Sequence, residues 1–234
     1  MLMFFSVIGK ALGLVREVVF AAYFGVTPAA EAFLAAAAVP VVVGSVVQTA
    51  IGNAFMPEYI QRSAVDKEAG LRFANNAVGL ILVLTGVVVA GGYVFAPLLI
   101  SILAPGFDAE TSRLAAVLLR IMLPGVIFYG LYGITNAFQQ ANQDFLLPAV
   151  ATIPANFAVV MGITFFAATG GVYAAATATL LSTFLLIVVQ WPGLKRCGYR
   201  FVSPRLRQAD TRLLLLLLVP VMLVTVINSI TSFT

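Results

Sequence analysis

Three charged side chains, Lys10, Arg16 and Glu17, interrupt an otherwise apolar stretch at the start of this sequence. A basic residue at the centre of a membrane helix costs about 2.5–3.5 kcal/mol on insertion scales, so such residues face a bundle interior or a water-filled cavity. At about 100° per residue, Lys10 and Glu17 fall on nearly one face and Arg16 lies one residue aside. Gly9 and Gly13 form a G-x-x-x-G step around Lys10, which permits close helix approach or local unwinding. Two readings fit this pattern. One is a cationic lining for an anionic ligand such as a phosphate or pyrophosphate, with Glu17 orienting Arg16 or taking part in gating. The other is an internal salt bridge that fixes packing, with Lys10 snorkelling towards headgroups. A further acid, Glu31, follows Thr27-Pro28, where the helix dipole favours a carboxylate and a purely structural role is open. Arg120, two turns into a later apolar run, is open to snorkelling in the same way.

Other chemistry is poorly represented. Histidine is absent and Cys197 is the single cysteine. That excludes His/Cys zinc sites, Ser–His or Cys–His catalysis, haem ligation by histidine and an intramolecular disulfide. Cys197, between basic residues at a helix end, reads as an idle thiol or a palmitoylation site. No phosphate-cradling loop, carboxylate cluster or nucleophile–base pair is present. The expectation is a non-enzyme without metal or cofactor. Asn136, Gln139, Gln140 and Asn156 read as polar glue between helices, and Ala175, Thr179 and Thr183 as a small-residue packing stripe.

The elements that must position these residues follow from composition. Of 234 residues, 62% are hydrophobic and 9% charged, with a mean hydropathy of +1.06. A soluble domain carries roughly 25% charged residues, so this chain lacks the polar surface to cover a water-exposed globule. A soluble enzyme, a nucleic-acid binder and a secreted disulfide scaffold are excluded, and the partner medium is the lipid bilayer. A spanning helix needs about 20 apolar residues. The breaks give spans at about 1–24, 29–55, 76–103, 113–140, 145–168 and 172–190, with a seventh apolar run at 213–234. Thr27-Pro28 opens the second span as cap and first-turn proline. Glu58–Arg72 forms a polar, helical connection, and Gly170-Gly171 a very tight turn. Unbroken runs of this length exclude a β-barrel. The fold class is an all-α polytopic membrane protein: a six-helix lobe at 1–194, a basic linker at 195–212 and the start of a seventh helix at 213–234. Charges at Lys10 and Arg16 and the lack of a basic leader argue against a cleaved signal peptide.

Lysine and arginine set the orientation. The 2–3 connection holds Arg62, Lys67 and Arg72, and the 6–7 linker holds Lys195, Arg196, Arg200, Arg205, Arg207 and Arg212. The opposite-side connections hold Arg113 alone. This bias places the N-terminus and both basic connections in the cytoplasm. Trp191 and Tyr59 are expected as interfacial aromatics, and the linker has the composition to grip anionic lipid.

Several segments together resemble the MviN/MurJ family of lipid II flippases. They are Gly13-Leu14-Val15-Arg16-Glu17, Ala21-Ala22-Tyr23-Phe24-Gly25, Ala30-Glu31-Ala32-Phe33, Pro40, Ala54-Phe55-Met56-Pro57-Glu58-Tyr59 and Ala104-Pro105-Gly106-Phe107. Leu119-Arg120-Ile121 with Pro124, and 145–156 with its spaced prolines, continue the pattern. The resemblance covers the whole chain but only the first half of the family's usual length. It implies two six-helix lobes around a cationic cavity in the bacterial inner membrane, this chain supplying the N-terminal lobe. It implies a polyprenyl-pyrophosphate-linked saccharide as cargo, moved by alternating access. By position, Arg16 matches an essential cavity arginine, Lys10 replaces another, and Glu17 and Glu31 match cavity acids. Three departures stand out. Val43-Gly44-Ser45 replaces an arginine pair, Gly9 replaces a serine, and the C-terminal lobe is absent, to be supplied by the same full-length chain or a partner half. The other readings are a transporter of another lipid-linked oligosaccharide, a small-solute antiporter of the multidrug/oligosaccharidyl-lipid/polysaccharide exporter superfamily, or a non-transporting scaffold half.

Overall fold

The computed structural model describes residues 2–201, and all regular structure among them is helical. The helices are α1 (Leu2–Phe24), α2 (Pro28–Val65), α3 (Lys67–Leu103), α4 (Ala109–Met122), α5 (Gly125–Ala141), α6 (Leu146–Val150) and α7 (Thr152–Arg196). The apolar run 213–234 and the linker beyond residue 201 lie outside the described residues, as does the division between them. Pro28–Val65, Lys67–Leu103, Ala109–Ala141 and Leu146–Arg196 are long and apolar enough to cross a membrane. α1 is also long enough but carries Lys10, Arg16 and Glu17 within two turns. The protein is an all-α, multi-pass membrane protein.

Local sequence explains where helices begin and bend. Thr27 caps α2 by accepting from the Ala30 N–H at 3.2 Å, with Pro28 at the first helical position. α2 continues through the polar connection to Val65, supported by the Glu58–Arg62 ion pair at 2.6 Å, one turn apart. Asp66 breaks the run in an extended conformation and caps α3, accepting from Glu68 and Ala69. The expected fourth span is divided at Leu123-Pro124, and the expected fifth is interrupted at Ala151 between α6 and α7.

α7 is two helical arms joined at Gly171, where the chain reverses and whose φ of 53° and ψ of −142° suit only glycine without strain. The arms 152–170 and 172–196 pack together so closely that a Cβ on Gly162 would lie 2.5 Å from that of Ala178. Gly170-Gly171 is thus the tight turn that the sequence predicts.

The core concentrates at two levels. One holds Phe33, Ile100, Leu118, Leu119, Met122 and Ile163, and the other Phe55, Tyr59, Phe73 and Phe138 beside the basic connections. Tyr59 is buried in the second level, stacked on Phe55 and accepting from Asn142 at 3.1 Å, rather than standing at an interface. Trp191 does stand exposed, with the Lys195 ammonium 5.7 Å from its ring centre.

Candidate functional site

The position of α1 is fixed by one narrow face. Gly9 lies against Thr152, where a Cβ would come within 2.5 Å of the hydroxyl, and the Asn156 side chain donates to the Gly9 carbonyl at 3.2 Å. The G-x-x-x-G step therefore serves close approach, and the helix is not unwound there. Further along, Tyr23 donates to the Thr164 carbonyl at 3.4 Å. α2 packs mainly on α3, α4 and α5 and also meets α7, the helix on which α1 rests. α1 and α2 meet where Phe20 stacks on Phe33, 4.6 Å between ring centres.

The four charged residues singled out in the sequence lie on α1 and in the first turn of α2. Arg16 and Glu17 are in contact at 3.3 Å, with side chains 39% and 71% exposed. Being neighbours on one helix, they tie no element to another, and an exposed pair is worth about 0–1 kcal/mol. Lys10, also exposed, precedes Arg16 by six residues, about 9 Å along the axis. Glu31 is exposed in the first turn of α2, beside the turn that joins it to α1. The structure brings Arg16 and Glu17 together and leaves Lys10 and Glu31 without an ion pair among the described residues.

Tyr129 of α5 was not marked by the sequence. Its half-buried ring covers the backbone of Gly44 so tightly that a Cβ there would lie 2.7 Å from the ring. It also accounts for Val43-Gly44-Ser45: the space beside residue 44 is already filled by an aromatic ring. Ser45 and Thr49 line the exposed face of α2 but spend their hydroxyls on carbonyls of their own helix, Val42 and Ser45.

Arg120 does not snorkel freely. Its Nε donates to the Tyr93 carbonyl at 3.1 Å and its guanidinium lies 5.4 Å from the Tyr93 ring centre. Pro97, four residues after Tyr93, has no N–H to offer that carbonyl. Arg120 supplies the missing donor and belongs to the scaffold. Gln139 and Gln190 likewise join α5 to α7, with Thr135 donating to Gln190 Oε1. Among the described residues, no three His, Cys, Asp or Glu side chains gather in a way that would hold a metal ion.

Comparison with known proteins adds the following. The family described as "Lipid II flippase MurJ" matches residues 20–234. The lipid II flippase MurJ of Thermosipho africanus is 31% identical over 184 residues, 78% of this chain and 37% of the relative. That of Burkholderia cenocepacia is 29% identical over 204 residues, 82% of this chain and 38% of the relative. A solved lipid II flippase MurJ in an inward closed conformation superposes with a TM-score of 0.82 at 26% identity, over 98% of this chain and 49% of that one. A transporter of the MOP superfamily from Pyrococcus furiosus shares the fold alone, with a TM-score of 0.77 at 20% identity over 99% of this chain and 53% of that one. This chain spans less than half the length of the curated relatives it matches.

Proposed function

The chain belongs to the lipid II flippase MurJ family, and we propose that it forms the N-terminal lobe of a flippase for a polyprenyl-pyrophosphate-linked saccharide, lipid II first. The lobe works with a C-terminal lobe, in the same full-length chain or a partner half, and the cargo headgroup crosses between them by alternating access while its lipid tail stays in the bilayer. Lys10 and Arg16 attract the pyrophosphate, Glu17 orients Arg16, and Glu31 contributes an acid from the first turn of α2. The protein sits in the bacterial cytoplasmic membrane with its N-terminus inside, as the lysine and arginine bias requires. The relatives are named as flippases, not as enzymes, and no catalytic step is assigned here.

One observation carries this reading. Arg16 is only partly covered, and its ion pair is with its own neighbour Glu17 rather than with another helix. A guanidinium placed so in an apolar helix costs about 2.5–3.5 kcal/mol on insertion, which an exposed pair with Glu17 offsets by about 0–1 kcal/mol, and this favours an acidic visitor. A second reading, cargo other than lipid II, draws support from Tyr129 over Gly44 in place of a cationic α2 wall. The test is the accessibility of lipid-linked precursor headgroups to an external label in cells with the protein present or depleted. Exposure of lipid II should fall on depletion. Unchanged lipid II with loss of another lipid-linked saccharide selects the second reading, and no change in either sinks both.

A further inference from the structure

α7 ends in a reversal that turns the chain back onto the lobe. Gly198, at a φ of 76°, donates to the Lys195 carbonyl at 3.1 Å, and the Tyr199 N–H donates to the Leu194 carbonyl at 2.9 Å, the paired bonds of a glycine-closed helix end. Tyr199 is thereby brought against the aromatic level of the core, its ring edge-on to Phe138 of α5 at 5.3 Å. Its hydroxyl donates to Asn75 Oδ1 of α3 at 3.0 Å. Asn75 Nδ2 donates in turn to the Arg200 carbonyl at 3.1 Å and to the Leu71 carbonyl at 2.8 Å. Asn75 is only 2% exposed. One buried amide on α3 thus grips the two residues after the reversal, the first by its side chain and the second by its backbone. A chain that peeled away here would leave that amide buried without these partners, which is costly where water cannot replace them.

We propose that Asn75 and Tyr199 are positioning residues that clasp the start of the connection to the C-terminal lobe, so that motion of that lobe is passed through residues 198–200 into α3 and α5. This rests on the two-lobe flippase reading above. The clasp acts on the transport step and not on cargo binding. A loose joint at the end of α7 would absorb the motion, whereas a bonded one transmits it.

The test separates binding from transport in the full-length protein carrying both lobes. Binding of undecaprenyl pyrophosphate is measured in detergent, and flipping by external labelling of lipid II headgroups in cells, per amount of folded protein in the membrane. Tyr199→Phe keeps the ring against Phe138 and removes only the hydroxyl, and Asn75→Leu keeps the volume and removes the amide. Amide exchange at Tyr199 should rise about fivefold in Tyr199→Phe, as the loss of one neutral hydrogen bond allows, and further in Asn75→Leu. Flipping should fall in the same order with pyrophosphate binding unchanged. The double variant should be no worse than Asn75→Leu alone. Wild-type flipping by both variants overturns the inference and leaves the functional reading standing. Loss of pyrophosphate binding in step with flipping also overturns it. Wild-type binding and flipping by Arg16→Ala refutes the functional reading, and this inference with it.

Discussion

Arg16 and Arg120 are both guanidinium groups within the apolar part of the same lobe, yet their surroundings differ. Arg120 gives its Nε to the Tyr93 carbonyl, which Pro97 leaves without a helical partner, and rests against the Tyr93 ring. Arg16 pairs with its neighbour Glu17 and stays partly uncovered. Arg120 repairs a proline defect that apolar surroundings would not tolerate. Arg16 repairs nothing. A charge within a membrane lobe therefore signals cargo only when its donors are left unspent, and the difference can be tested by treating the two arginines alike.

The largest effect expected is on transport. Arg16→Ala should abolish complementation of a flippase-depleted cell while the protein still inserts, as judged by its amount in the membrane fraction. Arg120→Ala should retain transport in proportion to the folded protein that remains. Full complementation by Arg16→Ala would remove the distinction from the side of Arg16.

The next effect is on stability. Arg120→Ala leaves the Tyr93 carbonyl without a donor, at a cost of about 1–3 kcal/mol, seen as a lower thermal midpoint in detergent. Pro97→Ala restores a backbone N–H within reach of the same carbonyl. In the Pro97→Ala background, removing Arg120 should cost markedly less, so the two changes should be non-additive. Additive losses would mean that Arg120 serves something other than the proline defect.

Much of this scaffold is legible in the sequence because the signals are local. Thr27-Pro28 opens α2, Asp66 interrupts a charged run and caps α3, and Gly170-Gly171 brings the chain back on itself. The pairing of residues across helices is less legible. Tyr59 has the composition of an interfacial residue and is buried because Asn142 and Phe138 happen to meet it. Arg120 needs a neighbour twenty-seven positions earlier in the chain, and Pro97 was the available clue, since it marks the Tyr93 carbonyl as unpaired. Tyr129 had no such clue beyond the glycine at 44, whose meaning depends on which helix crosses there. Of the charged residues, Lys10, Arg16 and Glu17 were conspicuous because charge is rare in this chain. Lys10 and Glu17 share a face of α1 by helical periodicity, but which helices α1 and α2 pack on is not written in that pattern.

The smallest effect sharpens the comparison at its weakest point, the Arg16–Glu17 contact. If Glu17 spends Arg16 as the Tyr93 carbonyl spends Arg120, then Glu17→Gln should destabilise the protein by an amount comparable to the loss at Arg120. The exposure of both side chains argues otherwise, since an open pair held at 3.3 Å between adjacent residues contributes about 0–1 kcal/mol. The expected result is a thermal midpoint close to wild type together with pyrophosphate binding a few-fold tighter, because a competing carboxylate next to the guanidinium has been neutralised. Tighter binding with slower transport would give Glu17 a role in releasing cargo, as a group that competes for Arg16 once the headgroup must leave. A large drop in the midpoint would instead make Arg16 as structural as Arg120, and the contrast between the two would collapse.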